Sequence, residues 1–492
     1  MASSDPHATD RPEHIGVLVV GAGLSGIGAG YHLQTHCPGR SYAILEARDD
    51  LGGTWDLFRY PGVRSDSDMY TLGYSFAPWT DPKAIADGKA ILDYVRATAK
   101  EHGIDRHIRF GHRVVRMDWS AADARWTVDV EHTKTGRRTQ LTCDFLFMCS
   151  GYYDYAAGYT PEFPGIDRFG GTVIHPQHWP EDLAVAGKRI VVVGSGATAV
   201  TLVPALAEQA AHVTMLQRTP TYVISRPASD AVANRLRALL PERVAYGITR
   251  WKNVLMGQAF YQVCQRAPGA MKRLIMKGVR EQVGDGVDVD KHFNPPYGPW
   301  DQRLCLVPDA DLFEVLRAGR AAVVTDRIET FTEDGIVLAS GATLPADIVV
   351  TATGLKLQLL GGATLCVEGT PVVARETMGY KAMMLSGVPN FALCFGYTNA
   401  SWTLKADLTS EYVCRLLNHM RAHGHRRCVP RQTDPTVEAT DFIDLQAGYV
   451  KRALAELPRA GTKAPWRLRQ NYLLDRLMVR RGAVDDGVME FS

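Results

Sequence analysis

At 492 residues the chain is too long for one compact core, and its length suggests roughly two to four domains. A net charge of +2, with 46% hydrophobic and 22% charged residues, is the composition of an ordinary globular chain; it excludes the Lys/Arg-block surfaces that bind nucleic acid. The nine cysteines are scattered and never spaced C-x-x-C, which argues against a disulfide frame or a zinc site and fits a reducing cytoplasm.

Residues 1–14 are polar, with Ser, Asp and Pro and no apolar stretch of the signal-peptide kind, and are expected to be a disordered lead-in. No apolar run approaches the roughly 18–20 residues that span a bilayer. Ile15 to Val20 is an apolar run of the kind buried on both faces of a parallel sheet. It leads into Gly21-Ala-Gly23-Leu-Ser25-Gly26 and a helical pattern through His36. In G-x-G-x-x-G, Gly21 permits the tight turn, Gly23 lets a pyrophosphate approach the backbone, and Gly26 lets helix and strand pack closely. The helix N-terminus presents free N–H groups to the phosphates. A second apolar run, Tyr42 to Leu45, ends at Glu46, whose carboxylate suits the two hydroxyls of an adenosine ribose.

Leu51 to Tyr70 is rich in Gly, Asp and aromatic residues, and a loop of that chemistry directly after a dinucleotide turn is expected to work on a ligand. A helix is predicted over Lys89 to His102, then strands near Arg109 to Val115 and Trp126 to Val130, then a buried strand from Asp144 into a glycine turn at Gly151. Phe169 to Pro180 follows, with the spacing F-x-G-x-x-x-H-x-x-x-W-P carried by Phe169, Gly171, His175, Trp179 and Pro180. After it, Lys188 to Val193 leads into Gly194-Ser195-Gly196-Ala197-Thr198-Ala199 and a helix through Gln209: a second dinucleotide turn, with Ala199 at the third glycine position. The next strand ends in Gln217-Arg218-Thr219 with no acid. A fork of guanidinium donors at that position favours a 2′-phosphate, hence NADPH over NADH.

Residues 221–300 leave this rhythm and are predicted to be a helical insertion. Between Glu242 and Arg280 it carries Arg243, Arg250, Lys252, Arg266, Lys272, Arg273, Lys277 and Arg280 against a single acid. A basic amphipathic helix can rest on an anionic membrane, but an insertion with its charged face in water is the favoured expectation. Asp347 to Gly354 is a further strand ending in a glycine turn, and a helix is expected to start near Thr403.

The fingerprint at Phe169 to Pro180, between two dinucleotide turns, resembles that of the Baeyer–Villiger monooxygenases, a family of class B flavoproteins. The related N- and S-oxidising flavin monooxygenases have Tyr-Lys where this chain has Trp179-Pro180. The wording Arg64-Ser-Asp-Ser-Asp68 and Asp301-Gln-Arg-Leu304 is similar to the ethionamide-activating type of FAD-containing monooxygenase. The resemblance covers nearly all of the chain after residue 14. It implies an α/β fold of two Rossmann-like domains with parallel sheets and a helical insertion. The implied arrangement is FAD-binding over 15–155 and 355–492, fingerprint and NADPH-binding over 156–220 and 301–354, and the insertion over 221–300.

By the same resemblance and the two glycine turns, Gly21, Gly23, Ser25, Gly26, Glu46, Thr54, Trp55, Asp56, Leu57, Asp66 and Val114 are expected to meet FAD. Arg64, Ser65, Gly194, Ser195, Gly196, Ala197, Thr198, Ala199, Val200, Arg218 and Thr219 are expected to meet NADPH. Asp68 rivals Asp66 for the place beside the flavin. Arg303 resembles the active-site arginine, held by Asp66, and His175 is implied to link domain movement to catalysis without touching substrate. The implied reaction is an NADPH- and O2-dependent conversion of a ketone to an ester or lactone through a flavin C4a-peroxide, with thioether oxidation as an accompanying or rival activity. A disulfide reductase of the same plan needs a cysteine pair soon after the first motif, and after Cys37 the next cysteine is Cys143. A non-catalytic nucleotide sensor has no use for Arg303 or the fingerprint.

Overall fold

The computed structural model describes residues 12–443 and 445–492. The lead-in expected over 1–14 lies outside the described residues as far as 11. From Glu13 the chain is already in a strand, because Glu13 to Ile15 pair with Leu141 to Cys143 and Glu13 forms an ion pair with Arg109 at 2.6 Å. That strand, β1 (Glu13–Val20), lies between Arg138–Met148 and β2 (Tyr42–Leu45) and is parallel to both. Helix α1 (Leu24–His36) joins β1 to β2. Alternation along β1 feeds two cores: Val17 and Val19 pack with α1, whereas Leu18 and Val20 pack toward Trp119 and Trp126. The sheet has nine strands, with an antiparallel part built from His112–Ser120, Arg125–His132 and the first half of Arg138–Met148. The second half of Arg138–Met148 pairs instead with Phe391–Leu393, which returns from the C-terminal third of the chain.

The chain leaves this sheet through β3 (Tyr153–Gly158) and enters a second, five-stranded parallel sheet. Its centre is β4 (Arg189–Val193), followed by helix α2 (Ala197–Leu206) and β5 (His212–Gln217). Ala321–Thr325 extends it on one side, and Ile348–Val350 and Thr172–Ile174 on the other. Helix α2 stops at Leu206, short of the expected Gln209, because the residues beyond it turn back to deliver the Gln209 carbonyl to Gly187 N–H.

Within 221–300 the longest element is α3 (Glu242–Arg266), and it departs from expectation. Arg243 and Arg266 are exposed as expected, but one arginine is not in water. Arg250 points inward, donating to the carbonyl oxygens of Tyr70 (2.8 Å) and Gly73 (2.7 Å) and lying 3.5 Å from the buried Asp407. Val244, Ile248, Trp251 and Leu255 face outward. The interior partner of one arginine sets the rotation of the helix, against the ordinary rule that the apolar stripe faces the core.

The return crossing is β6 (Leu355–Leu357), antiparallel to β3, so the two sheets are joined by a two-stranded ribbon. Helix α4 (Trp402–His423) then runs alongside α1 through the core of the first sheet, starting one residue before the expected Thr403. Helix α5 (Tyr472–Arg481) packs on α4, and buried Lys405 pairs with buried Asp475 at 2.7 Å. Among the described residues, no helix is long and apolar enough to cross a membrane.

Candidate active site

Both glycine turns open into one cleft of about 1740 Å³, lined from both sheets and from the β3–β6 ribbon. Pockets for a single small ligand are typically about 300–1,000 Å³, so this one has room for two dinucleotides. In the first turn Gly21 sits at φ 104°, and a Cβ there would come 2.6 Å from the Cys149 carbonyl oxygen. A Cβ on Gly26 would come 1.9 Å from the Gly21 carbonyl oxygen, so Gly26 serves the strand–helix contact and stays out of the cleft. Glu46 at the end of β2 accepts from Ala22 N–H (2.8 Å) and Arg48 N–H (2.9 Å), one bond on each oxygen, which leaves lone pairs on the cleft side. Burial pushes its pKa above the ordinary carboxylate value, so hydroxyl donors on that side would favour the charged form. The buried acid and the glycine turn together fit the adenosine end of a dinucleotide.

Thr54, Trp55 and Val114 line the same cavity, as does Ser25, whose hydroxyl accepts from Trp402 Nε1 at 2.7 Å at the start of α4. Asp56 and Leu57 depart from expectation and are not brought to the wall. Both are buried beneath it, and the Asp56 carboxylate is taken by Arg48 (2.7 Å) and Arg59 (2.7 Å).

In the second turn Gly194 has φ 141°, and a Cβ there would lie 2.3 Å from the Ala352 carbonyl oxygen. A Cβ on Gly196 would meet no protein atom within 4 Å and would project into open space, the close backbone approach a pyrophosphate needs. Ala197 and Thr198 line the cleft with Ser195, whose hydroxyl lies 2.8 Å from that of Thr221. Ala199 and Val200 face the sheet instead, fully buried, because they fall on the inner side of α2. Arg218 and Thr219 close this end, and Arg327, which sequence reading passed over, stands in the same wall.

Between the turns lies an acid–base pair. Arg303 Nη2 is 3.7 Å from Asp66 Oδ2, with the two side chains 39% and 33% exposed, both into the cleft. The Asp66 charge raises the Arg303 pKa well above its already high ordinary value, so the guanidinium is a permanent cation. Asp68, the rival, is occupied elsewhere. It caps the helical turn Met69–Leu72 through Thr71 N–H (3.1 Å) and accepts from Asn253 Nδ2 (2.9 Å). Arg64 also borders the cleft but is held by Asp311 at 2.5 Å, and the buried Ser65 hydroxyl accepts from Ser67 N–H. Around Arg303 stand Tyr152, Tyr153 and Tyr449, with burial raising the pKa of Tyr449 to about 12 and that of Tyr152 further. Tyr152 and Tyr449 therefore keep neutral hydroxyls beside the guanidinium.

His175 does not line the cleft. Its Nε2 lies 3.1 Å from the Gly354 carbonyl oxygen, its Nδ1 accepts from Gln177 N–H (3.2 Å), and its ring fills the space a Cβ would take at Gly158. Gly158 and Gly354 are where the β3–β6 ribbon meets the second sheet, so the imidazole is wedged at the joint between the units. Burial lowers its pKa below the usual value, and the folded chain therefore holds it neutral. A lowered folded pKa leaves stability intact above the ordinary histidine range of about 6.5 and withdraws it as pH falls below that value. Thermal stability is accordingly expected to drop more steeply between about pH 7 and 5 in the wild type than in His175→Gln, as followed by thermal-shift melts across that range.

A family model described as flavin-binding monooxygenase-like matches residues 15–261. The FAD-containing monooxygenase EthA of Mycobacterium tuberculosis is 58% identical over 481 residues, covering 98% of each chain. The chain belongs to the flavin-binding monooxygenase-like family. Among solved structures, oxidised steroid monooxygenase bound to NADP superposes with a TM-score of 0.75 at 23% identity, covering 97% of this chain and 99% of that one. OTEMO in complex with FAD and NADP gives 0.75 at 21% identity, covering 98% and 100%. The fold is thus that of the two-dinucleotide-domain flavoprotein monooxygenases. Its tyrosine wall, the Trp402–Ser25 bond and Arg327 are the cleft features that motif reading did not supply; the run Tyr152-Tyr-Asp-Tyr155 after the Gly151 turn was the available signal.

Proposed function

We propose that the protein is an NADPH- and O2-dependent FAD monooxygenase that inserts one oxygen atom next to a ketone carbonyl, giving an ester or lactone, NADP⁺ and water. The supporting observation is the Arg303–Asp66 pair, set between two glycine turns that open into one cleft. FAD, when bound, supplies the oxygen-activating redox chemistry; the chain's own residues bind, orient and stabilise charge. Gly21, Gly23 and Glu46 hold FAD, and Gly194, Gly196 and Arg218 hold NADPH. Arg303 offers a fixed fork of donors to negative charge developing on the oxygens of the reacting ketone, in a site walled by tyrosines and Trp402 where such charge is poorly screened. Asp66 positions the guanidinium without removing its proton. A second reading, oxidation of soft sulfur, uses the same cleft with less need of an oxyanion partner.

The test is NADPH consumption by the FAD-loaded protein with a ketone panel and one thioether under labelled oxygen. Esters carrying one labelled atom support the proposal. Sulfoxide alone replaces it with the heteroatom reading. For cofactor choice, Arg218→Ala is expected to raise the KM for NADPH by about 10–100-fold while leaving that for NADH nearly unchanged, since a charge-assisted contact to a phosphate is worth about 1.5–3 kcal/mol. Equal losses for both nucleotides would remove Arg218 from the 2′-phosphate.

A further inference from the structure

The chemistry of the cleft leaves the outward face of α3 unexplained. Val244, Ile248, Trp251 and Leu255 recur at helical spacing on one side, with Ile248 46% and Leu255 50% exposed. Met256 stands beside this row, and Val263 continues it near the end of the helix. Leu474 and Leu477 of α5 and Leu239 are also exposed, and Tyr472 of α5 contacts Trp251. At about 1.5 Å per residue the row from Val244 to Leu255 is roughly 17 Å long, and Val263 extends it to roughly 28 Å along the helix. Scattered surface leucines are ordinary, but an aligned row of this length marks an interaction site.

Charge identifies what covers it. Residues 231–280 contain ten Lys and Arg and one acid, Glu242. The ion pairs of this segment engage Arg250, Lys252, Lys277 and Arg280. Among the described residues, none engages Arg235, Arg243, Arg266 or Arg273, and these four are exposed. Arg476 lies 4.9 Å over the Trp251 ring at the edge of the stripe. A second copy of the same face would bring cations against cations, whereas an anionic surface that also accepts apolar side chains satisfies both halves of the pattern. The position of Arg250 makes this orientation a property of the fold, since burying its guanidinium beneath the helix forces the apolar row outward.

We propose that α3, with the adjoining end of α5, docks the protein on the surface of an anionic lipid bilayer, lying in the plane of the headgroups with Ile248, Trp251 and Leu255 inserted. This is the geometry of an interfacial amphipathic helix, in which apolar burial and attraction to anionic lipid add together. The inner side of α3 packs through Val254 on Tyr397 and Leu404, and Tyr397 lines the cleft, so the docked face is the back of a cleft wall. Docking does not depend on which oxidation the cleft performs.

The test is flotation of the full-length, FAD-loaded protein with vesicles of phosphatidylglycerol and phosphatidylcholine in equal parts, against vesicles of phosphatidylcholine alone. The expected result is co-flotation with the anionic vesicles, weakened by high salt, and little with the neutral ones. Ile248→Asp combined with Leu255→Asp should reduce the bound fraction by about tenfold or more. Arg243→Glu combined with Arg266→Glu, both exposed on α3, should do so without touching the apolar row. Unchanged circular dichroism and flavin absorbance show that each variant is folded, and the charge pair keeps the test open if the apolar pair is not. No flotation, equal flotation with both vesicle types, or flotation indifferent to both variants overturns the proposal. A dimer in sedimentation that the Asp pair splits, in a protein that does not float, assigns the face to a second copy instead.

Discussion

Arg303→Ala is expected to lower the rate of oxygen insertion by about two to three orders of magnitude, the usual effect of removing one donor aimed at developing oxyanion charge. NADPH oxidation should continue in this variant, with the electrons appearing as hydrogen peroxide in place of product. The separation follows from position: Arg303 is paired with Asp66 of the first unit, while Gly196 belongs to the second glycine turn and Arg218 follows the end of the next strand, where NADPH is expected to bind. Arg303→Lys keeps the charge but loses the planar fork, and is expected to recover only part of the rate. Asp66→Asn should have a smaller effect, because Arg303 remains protonated without its partner and loses only its orientation. Product formation by mass spectrometry, set against NADPH loss and peroxide yield, measures all three. Undiminished coupling of NADPH to product in Arg303→Ala would remove the arginine from the chemistry and with it the main support for ketone oxidation.

The parts of this site that were legible in the sequence are those whose meaning is local. Gly21, Gly23 and Gly26, and Gly194 and Gly196, each follow an apolar strand and open a helix, and the steric reason for each glycine lies within a few residues of it. Glu46 was legible because a strand end fixes where its side chain goes. Asp66 and Asp68 were not separable by motif, since both sit in Ser-Asp-Ser-Asp; an Asp three residues before Thr71 at the start of a helical turn was a capping signal that favoured assigning Asp68 to structure. Asp56 and Leu57 follow directly on Thr54 and Trp55, but a helical turn rotates by about 100° per residue and carries them to the side away from the cleft, where Arg48 and Arg59 hold Asp56 under the wall. Of the tyrosines around Arg303, Tyr152 and Tyr153 are neighbours but Tyr449 is nearly 300 residues away, and only the return of the C-terminal third brings it beside them. The orientation of α3 was illegible for the same reason. Counting charges shows a basic helix, but the partner that turns Arg250 inward is Asp407 on α4.

Arg250→Met is expected to be among the most destabilising single substitutions in the molecule, at about 3–5 kcal/mol, because it leaves a buried carboxylate without its cation. Asp407 is 5% exposed. Burial by itself would push its pKa up, but His32 at 3.5 Å and Arg250 at 3.5 Å together hold it below the ordinary carboxylate value. A folded pKa below the unfolded one contributes stability above about pH 4 that is lost as pH falls through the folded value. Removing Arg250 cancels much of that contribution, strands the carbonyl oxygens of Tyr70 and Gly73, and releases the rotation of α3. The consequence should reach the cleft, because α4 carries Asp407 near the same end as Trp402, which bonds Ser25 beside the first glycine turn. Arg250→Met is therefore expected to melt at a markedly lower temperature at neutral pH and to shed flavin more readily on dilution. Arg250→Met combined with Asp407→Asn should recover part of the loss, since the stranded charge is gone. A double variant no more stable than the single one would show that the carbonyl contacts, and not the ion pair, hold α3 in place.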